Sequence, residues 1–230
     1  MTKQSDTALL IFSRLPKKEA GFKQLFGKDI INELLHDQLY RHTVSLGESP
    51  GLPLIKFTEK HQRGNTFAEK ISGAMAAVFA EGFENIIVIG SDCPGLKRKH
   101  IKIAQQDLAS GKKIVAGADK RGGIYLLGIN KSAFKKEAFL HFSWQTAFLF
   151  SEIKNYASAF THSVLSDVLR DVNTSKDVLV TSVSFSSNPS WRNIVAQYFY
   201  LPQLFLNKYF YFNNGRLPVM QLAFRGPPSR

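Results

Sequence analysis

The chain has 230 residues, 44% hydrophobic and 21% charged, which is enough apolar material for one large core and rules out a disordered or fibrous chain. Its formal net charge is +12, and its one cysteine, Cys93, excludes an internal disulfide and a cysteine-built zinc site. The apolar run "ALLIF" after the polar start is too short for a signal peptide or a membrane span, so we expect a cytoplasmic protein. The positive charge is scattered in pairs such as Lys17 and Lys18, Lys112 and Lys113, and Lys135 and Lys136. Such a surface attracts phosphates, nucleic acid or anionic lipid, but no nucleic-acid-binding motif accompanies it, which ranks nucleic acid last.

In chain order, "ALLIFSR" reads as a first buried strand. "KDIINELLHDQLYRHT" carries Ile30, Ile31, Leu34, Leu35 and Leu39 on one helical stripe. "LPLIKF" reads as a second strand. "NTFAEKISGAMAAVFAEG" is a helix with a capping box, Thr66 and Glu69, and a glycine stop at Gly82. "NIIVIG" is too uniformly apolar for a wet face and belongs in a sheet covered on both sides. "KRKHIKIAQQDLAS" predicts a further helix, stopped by Gly111, with His100 at the surface. "KKIVAG" and "GGIYLLGI" read as strands and "SWQTAFLFSEIKNYA" as a helix. The alternation predicts an α/β fold: a three-layer α/β/α arrangement around a mainly parallel sheet. Ligands of such sheets bind beyond the carboxyl ends of the strands, where Asp92 falls.

Asp92 reads in two ways. It is a cap for a helix beginning near Pro94 to Leu96, or a hard-oxygen ligand for magnesium or manganese bound with substrate phosphates. Cys93 has no histidine at a partner spacing and reads as a structural thiol. The glycines 122 and 123 leave room for a ligand against the backbone, or make a tight turn. Asp171, in "LRDVNTSKDV", either adds a second carboxylate to that metal or caps a turn.

Together, "VIGSDCPGL", "GGIYLLGI", "SWQTAFLF" and "LRDVNTSKD" resemble, in order and spacing, small bacterial glycosyltransferase-A-like proteins of unassigned function. That family is similar in fold to sugar nucleotidyltransferases and to cofactor-building guanylyltransferases. The resemblance spans roughly residues 8 to 180 and implies a nucleotide-diphospho-sugar transferase fold. It implies that Asp92 matches the superfamily's metal-binding aspartate and Asp171 the first aspartate of the family's Asp-Val-Asp. Trp144 matches the tryptophan of its Trp-Ser-Thr segment, here Trp-Gln-Thr.

The departures fall on the ligand side. The family's basic first loop, Lys-x-Pro-x-Pro-Gly followed by Lys-Thr-Arg-Leu, is here "SRLPKKEAGFKQLFG". Arg14, Lys17, Lys18 and Lys23 stand in as candidate phosphate contacts. Arg121 replaces an aspartate before the double glycine, so a metal or sugar-hydroxyl role of that carboxylate is either lost or moved to Asp119. Asn173 replaces the second aspartate of Asp-Val-Asp, and Thr66 and Lys70 replace an aspartate and an arginine of the helix opening.

The expected domain is therefore residues 1–185, and the expected function is metal-dependent glycosyl transfer from a nucleotide-diphospho-sugar. Nucleotidyl transfer from a nucleoside triphosphate, or a catalytically impaired binding protein on the same fold, are the alternatives. The expected site is Asp92 and Asp171 for Mg2+ or Mn2+, with Arg14, Lys17, Lys18, Lys23, Ser91, Gly122, Gly123 and Trp144 for substrate. Residues 186–230 turn aromatic. Trp191, Ile194, Val195, Tyr198 and Phe199 fall at helical spacing and an Asn-Gly turn follows, which suggests an extension docked on the domain or on a second copy. A protein interface there is favoured over a membrane surface.

Overall fold

The computed structural model describes residues 6–26, 29–48 and 51–181. The expected extension at 186–230, with its aromatic stripe and hairpin, lies outside them.

The elements are β1 (Thr7–Phe12), α1 (Pro16–Phe22), α2 (Asp29–Gly47), β2 (Leu54–Phe57), α3 (Phe67–Ala80), β3 (Asn85–Ile89) and α4 (Arg98–Ala109). There follow β4 (Ile114–Ala118), β5 (Ile124–Asn130), α5 (Lys136–His141), α6 (Leu149–Ala157), β6 (His162–Val164) and α7 (Ser175–Thr181). One sheet of six strands has the order β2-β1-β3-β5-β4-β6. β1 runs parallel to β2 and β3, and β4 parallel to β6, while β5 lies antiparallel between β3 and β4.

Alternation along the strands builds the layers. Ala8, Leu10, Phe12, Ile86 and Val88 face one core with Ile71, Met75, Val78 and Phe79 of α3, Phe139 of α5 and Ile153 of α6. Leu9, Ile11, Ile87 and Ile89 face the opposite core with Ile101, Ala104 and Leu108 of α4. Every residue of β1 and β3 is buried, because both faces of these strands are covered, and this removes the polar alternation of a half-wet strand.

The α3 boundaries are set locally. Thr66 accepts the Glu69 N–H while Glu69 accepts the Thr66 N–H, and Gly82 follows the helix at φ +98°. Three expectations are corrected. α6 begins at Leu149, so residues 143–148 form a turn rather than helix. On α2, Leu35 and Leu39 are buried but Ile30 and Leu34 face outward, because α2 meets α1 and α7 on a narrower stripe with Leu25, Val172 and Val178. His100 is 2% exposed, not on the surface. Its Nδ1 accepts the Lys97 N–H (3.0 Å), which leaves Nε2 to donate to Asp167 (2.9 Å).

The chain leaves β1 for β2 on one side and returns for β3 on the other. Strand order reverses at that point, and a crevice opens beyond the carboxyl ends of β1 and β3.

Candidate functional site

A cleft of about 910 Å³ occupies that crevice. Ser13 and Arg14 enter it after β1, Gly90, Ser91 and Asp92 after β3, and Asp119 and Arg121 after β4. Lys23, Asp171 and Asn173 close one side, and Lys70, Trp144 and Gln145 line it as well.

Asp92 caps no helix: α4 starts at Arg98 with Lys97 before it, so the capping reading is corrected. The Asp92 carboxylate instead accepts a hydrogen bond from Lys23 Nζ at 2.8 Å, and its carbonyl accepts the Val172 N–H at 2.8 Å. Lys23 Nζ also donates to the Val172 carbonyl at 3.0 Å. Two strands of contact thus clamp the 171–173 segment to the β3 turn and bring Asp171 beside Asp92. Burial opposes the Lys23 charge, but Asp92 beside it, together with Glu19 and Asp171, outweighs that, and the lysine pKa is raised.

Asp171 is the most perturbed acid of the cleft. Burial, then the charges of Asp92 and Asp119, push its pKa up to about 8, against the smaller opposing pull of the Cys93 thiol and Lys23. Its Oδ1 is buried and without a hydrogen-bond partner. Cys93 is itself buried, and burial followed by the neighbouring carboxylates holds its thiol protonated. It is a packing group whose thiol donates to the Arg170 carbonyl at 3.9 Å, with none of the electropositive surroundings of a nucleophile.

The other expected residues divide: Arg14 and Trp144 line the cleft, and Lys17 and Lys18 do not. Arg14 pairs with Glu19 at 3.1 Å and lies 4.0 Å from the centre of the Phe22 ring. Residues 16–22 form α1 rather than a loop, and Lys17 and Lys18 on its first turn are exposed and outside the cleft lining. The fold does not bring them to the site. Trp144 lines the cleft with its indole N–H fixed to the Phe139 carbonyl at 2.8 Å.

The double glycine makes a tight turn whose space is filled from within. Gly122 has φ +83°, and a Cβ there would collide with the Ala147 carbonyl oxygen. At Gly123 a Cβ would collide with the Asp119 carboxylate. The chain itself fills the Cβ direction of both glycines, while Gly123 lines the cleft and the turn sets Asp119 in its wall. Gly122→Ala is therefore expected to cost about 2 kcal/mol from left-handed strain and the clash. A thermal melt should show a fall of roughly 4–8 °C.

Arg121 lines the cleft but spends its guanidinium on an acid of α7. Its Nη2 donates to both carboxylate oxygens of Asp177 of α7, each at 2.6 Å, and Arg170 Nη1 adds a third contact at 3.1 Å. Asp177 also accepts the N–H groups of Asn173 (3.1 Å) and Thr174 (2.8 Å) and the Thr174 hydroxyl (2.8 Å). Burial alone would raise this carboxyl; Arg121, Thr174, Asn173 and Arg170 together hold it far below the usual carboxylate range. The arginine that replaces an acid in the sequence is thus a strut for the segment that carries Asp171. Asp177 was missed in the sequence because "SKDV" reads as an ordinary helix start.

Comparison with solved structures decides the class of fold. A candidate nucleotide-diphospho-sugar transferase from Desulfovibrio desulfuricans G20 superposes with a TM-score of 0.62 at 19% identity, over 84% of this chain and 98% of that one. The fold is that of the nucleotide-diphospho-sugar transferases. Residues 53–146 match the family described as an uncharacterized protein conserved in bacteria (DUF2064). This match and the fold bear out the resemblance to a divergent member of a glycosyltransferase-A-like family. More distant likenesses are to a cytidylyltransferase from Leptospira borgpetersenii (TM-score 0.47, 12% identity, 90% of this chain and 100% of that one) and to Rv0371C from Mycobacterium tuberculosis H37Rv in complex with manganese (0.41, 11%, 76% and 96%). No curated protein matches the chain.

Among the described residues no helix is long and apolar enough to cross a membrane. Among them, too, no three His, Cys, Asp or Glu side chains converge as an ion cage. The carboxylates that face the cleft beside β3 are Asp92 and Asp171, the latter with a buried oxygen lacking a partner. That set fits a hard cation which takes its other ligands from phosphate and water.

Proposed function

We propose that this protein is a divalent-cation-dependent glycosyltransferase that uses a nucleotide-diphospho-sugar donor. The observation that carries the reading is the buried, unpartnered Oδ1 of Asp171 beside Asp92, in the cleft where strand order reverses. Two carboxylates in a low-dielectric cleft repel one another, and a proton on Asp171 relieves this only in part. Asp92 and Asp171 would hold the cation. Bound there, Mg2+ or Mn2+ would neutralise charge developing on the diphosphate leaving group.

The chain's own cations complete the clamp. Lys23 stands at the carboxylate pair, and Arg14 is held at the cleft wall by Glu19 and Phe22. Both present donors to phosphate oxygens, with the guanidinium fork suited to two at once. Lys70 lines the same cleft from the first turn of α3.

A melting-temperature titration with UDP-glucose and GDP-mannose, with and without manganese, tests this. At a ligand concentration a hundredfold above Kd, stabilisation of about 2.7 kcal/mol is expected, and only when manganese is present. Release of pyrophosphate from a nucleoside triphosphate would move the reading to nucleotidyl transfer. Absence of any nucleotide response, with or without metal, overturns it.

A second reading is a nucleotide-binding protein without catalysis. The Lys23–Asp92 contact favours it, because the ammonium already neutralises the carboxylate a cation would need. Its signature is stabilisation by nucleotides that manganese leaves unchanged.

A further inference from the structure

Gln145 has φ +64° and is the one non-glycine residue at positive φ among the described residues. It is exposed and lines the cleft. The left-handed region is costly for a residue with an unbranched, flexible side chain and no local hydrogen bond to offset it. Among the described residues its carboxamide has no hydrogen-bond partner, so its own side chain does not offset that cost.

The surrounding turn enforces it. The Ser143 N–H and hydroxyl both donate to the Glu152 carboxylate, at 2.6 and 2.7 Å. The Thr146 hydroxyl donates to the Ser143 carbonyl at 2.7 Å and accepts the Phe148 N–H at 3.2 Å. Trp144 is pinned through its indole to Phe139, and Ala147 packs on the Gly122 turn that carries Asp119. A rigid frame therefore holds one strained, unpartnered amide in the wall of the cleft that Asp92 and Asp171 also line. Strain retained at such a place points to a ligand.

We propose that Gln145 reads the hydroxyl-bearing group attached beyond the diphosphate, that is, the sugar of the donor. This rests on the functional reading above and deepens it. A carboxamide offers donors and an acceptor together, which matches vicinal hydroxyls, and the Trp144 indole beside it forms an apolar wall of the same cleft. Gln145 is thus a specificity-determining residue; the cation and diphosphate are held elsewhere.

Isothermal titration in the presence of manganese, with UDP-glucose and GDP-mannose set against UDP and GDP, tests the assignment in the full-length chain. For Gln145→Gly, affinity for the sugar nucleotide should fall about tenfold, the loss of one or two good hydrogen bonds. Affinity for the bare nucleoside diphosphate should hold. The same variant should melt at the wild-type temperature or roughly 2–4 °C above it, because glycine relieves the backbone. Gln145→Asn, which keeps the amide and tolerates positive φ, should retain part of the discrimination. Equal losses for sugar nucleotide and diphosphate, or no loss at all, overturn the proposal while leaving the transferase reading in place. A lowered melting temperature for Gln145→Gly overturns it as well. A wild-type chain that binds neither class of nucleotide overturns both.

Discussion

Asp92→Asn and Asp171→Asn should each weaken manganese-dependent binding of a sugar nucleotide on the order of 100-fold, about 2.7 kcal/mol. Their effects on the ligand-free protein should have opposite signs, which separates site chemistry from folding. Asp92 accepts from Lys23 at 2.8 Å, so its loss leaves a mostly buried ammonium without its charge partner and lowers the melting temperature. Asp171 is a carboxyl whose folded pKa, about 8, lies above its ordinary value of 3.8. Its contribution is fully present below pH 4, where both folded and unfolded chains are protonated there. It is lost as pH rises toward 8, because the unfolded carboxyl ionises freely and the folded one does not. The loss is on the order of 5 kcal/mol as an upper bound. Asp171→Asn should therefore melt higher than wild type at pH 8 and equal to it near pH 4. A bound cation favours the ionised carboxylate, so manganese affinity should climb with pH over the same interval. Melts of both variants between pH 4 and 9, with and without manganese, check all of this; a wild-type curve that is flat over that interval contradicts a buried acid beside Asp92 and Asp119.

Asp177→Ala should destabilise the fold by about 3 kcal/mol. Removing one member of a buried charge cluster leaves the others without partners, although Arg121 and Arg170 are each about one third exposed and reach water, which moderates the loss. The same carboxylate holds the Asn173 and Thr174 N–H groups ahead of α7, so the helix start is lost with it. The expected fall in melting temperature is about 6–12 °C. The folded pKa of Asp177 is depressed, so its contribution is present above pH 4 and is lost as pH falls through the folded value. The deficit of Asp177→Ala should accordingly shrink in strong acid. Because Arg121 and Arg170 act on Asp171 through Asp177, the variant should also lose part of its manganese-dependent nucleotide response. Unchanged stability would show that the two arginines do not brace this segment.

The central features of the domain were legible along the chain. "NIIVIG" announced a strand buried on both faces, and Thr66 with Glu69 announced the start of α3, because these signals depend on residues within a few positions of one another. Asp92 and Asp171 were legible as candidates, since their neighbours carried the resemblance. Their surroundings were not legible. Lys23 is 69 positions from Asp92, and Arg121 is 56 from Asp177. No local pattern distinguishes Lys23, which reaches the carboxylates, from Lys17 and Lys18, which remain in solvent. The cause is α1: wound into a helix, the basic segment turns its first-turn lysines outward, whereas Lys23, just past its end, falls at the cleft.

The sequence by itself determined the layered α/β fold, since apolar periodicity and caps are short-range properties of the chain. It also located the acid at the rim of the central strand. Tertiary structure alone decided which charges meet. It gave Arg121 to Asp177 and Lys23 to Asp92, filled the glycine turn with Ala147 and Asp119, and left one oxygen of Asp171 buried without a partner. The reason is physical: a carboxyl group's protonation and partners follow from the dielectric and the charges within a few ångströms. Those neighbours come from distant parts of the chain and are set by how the layers pack.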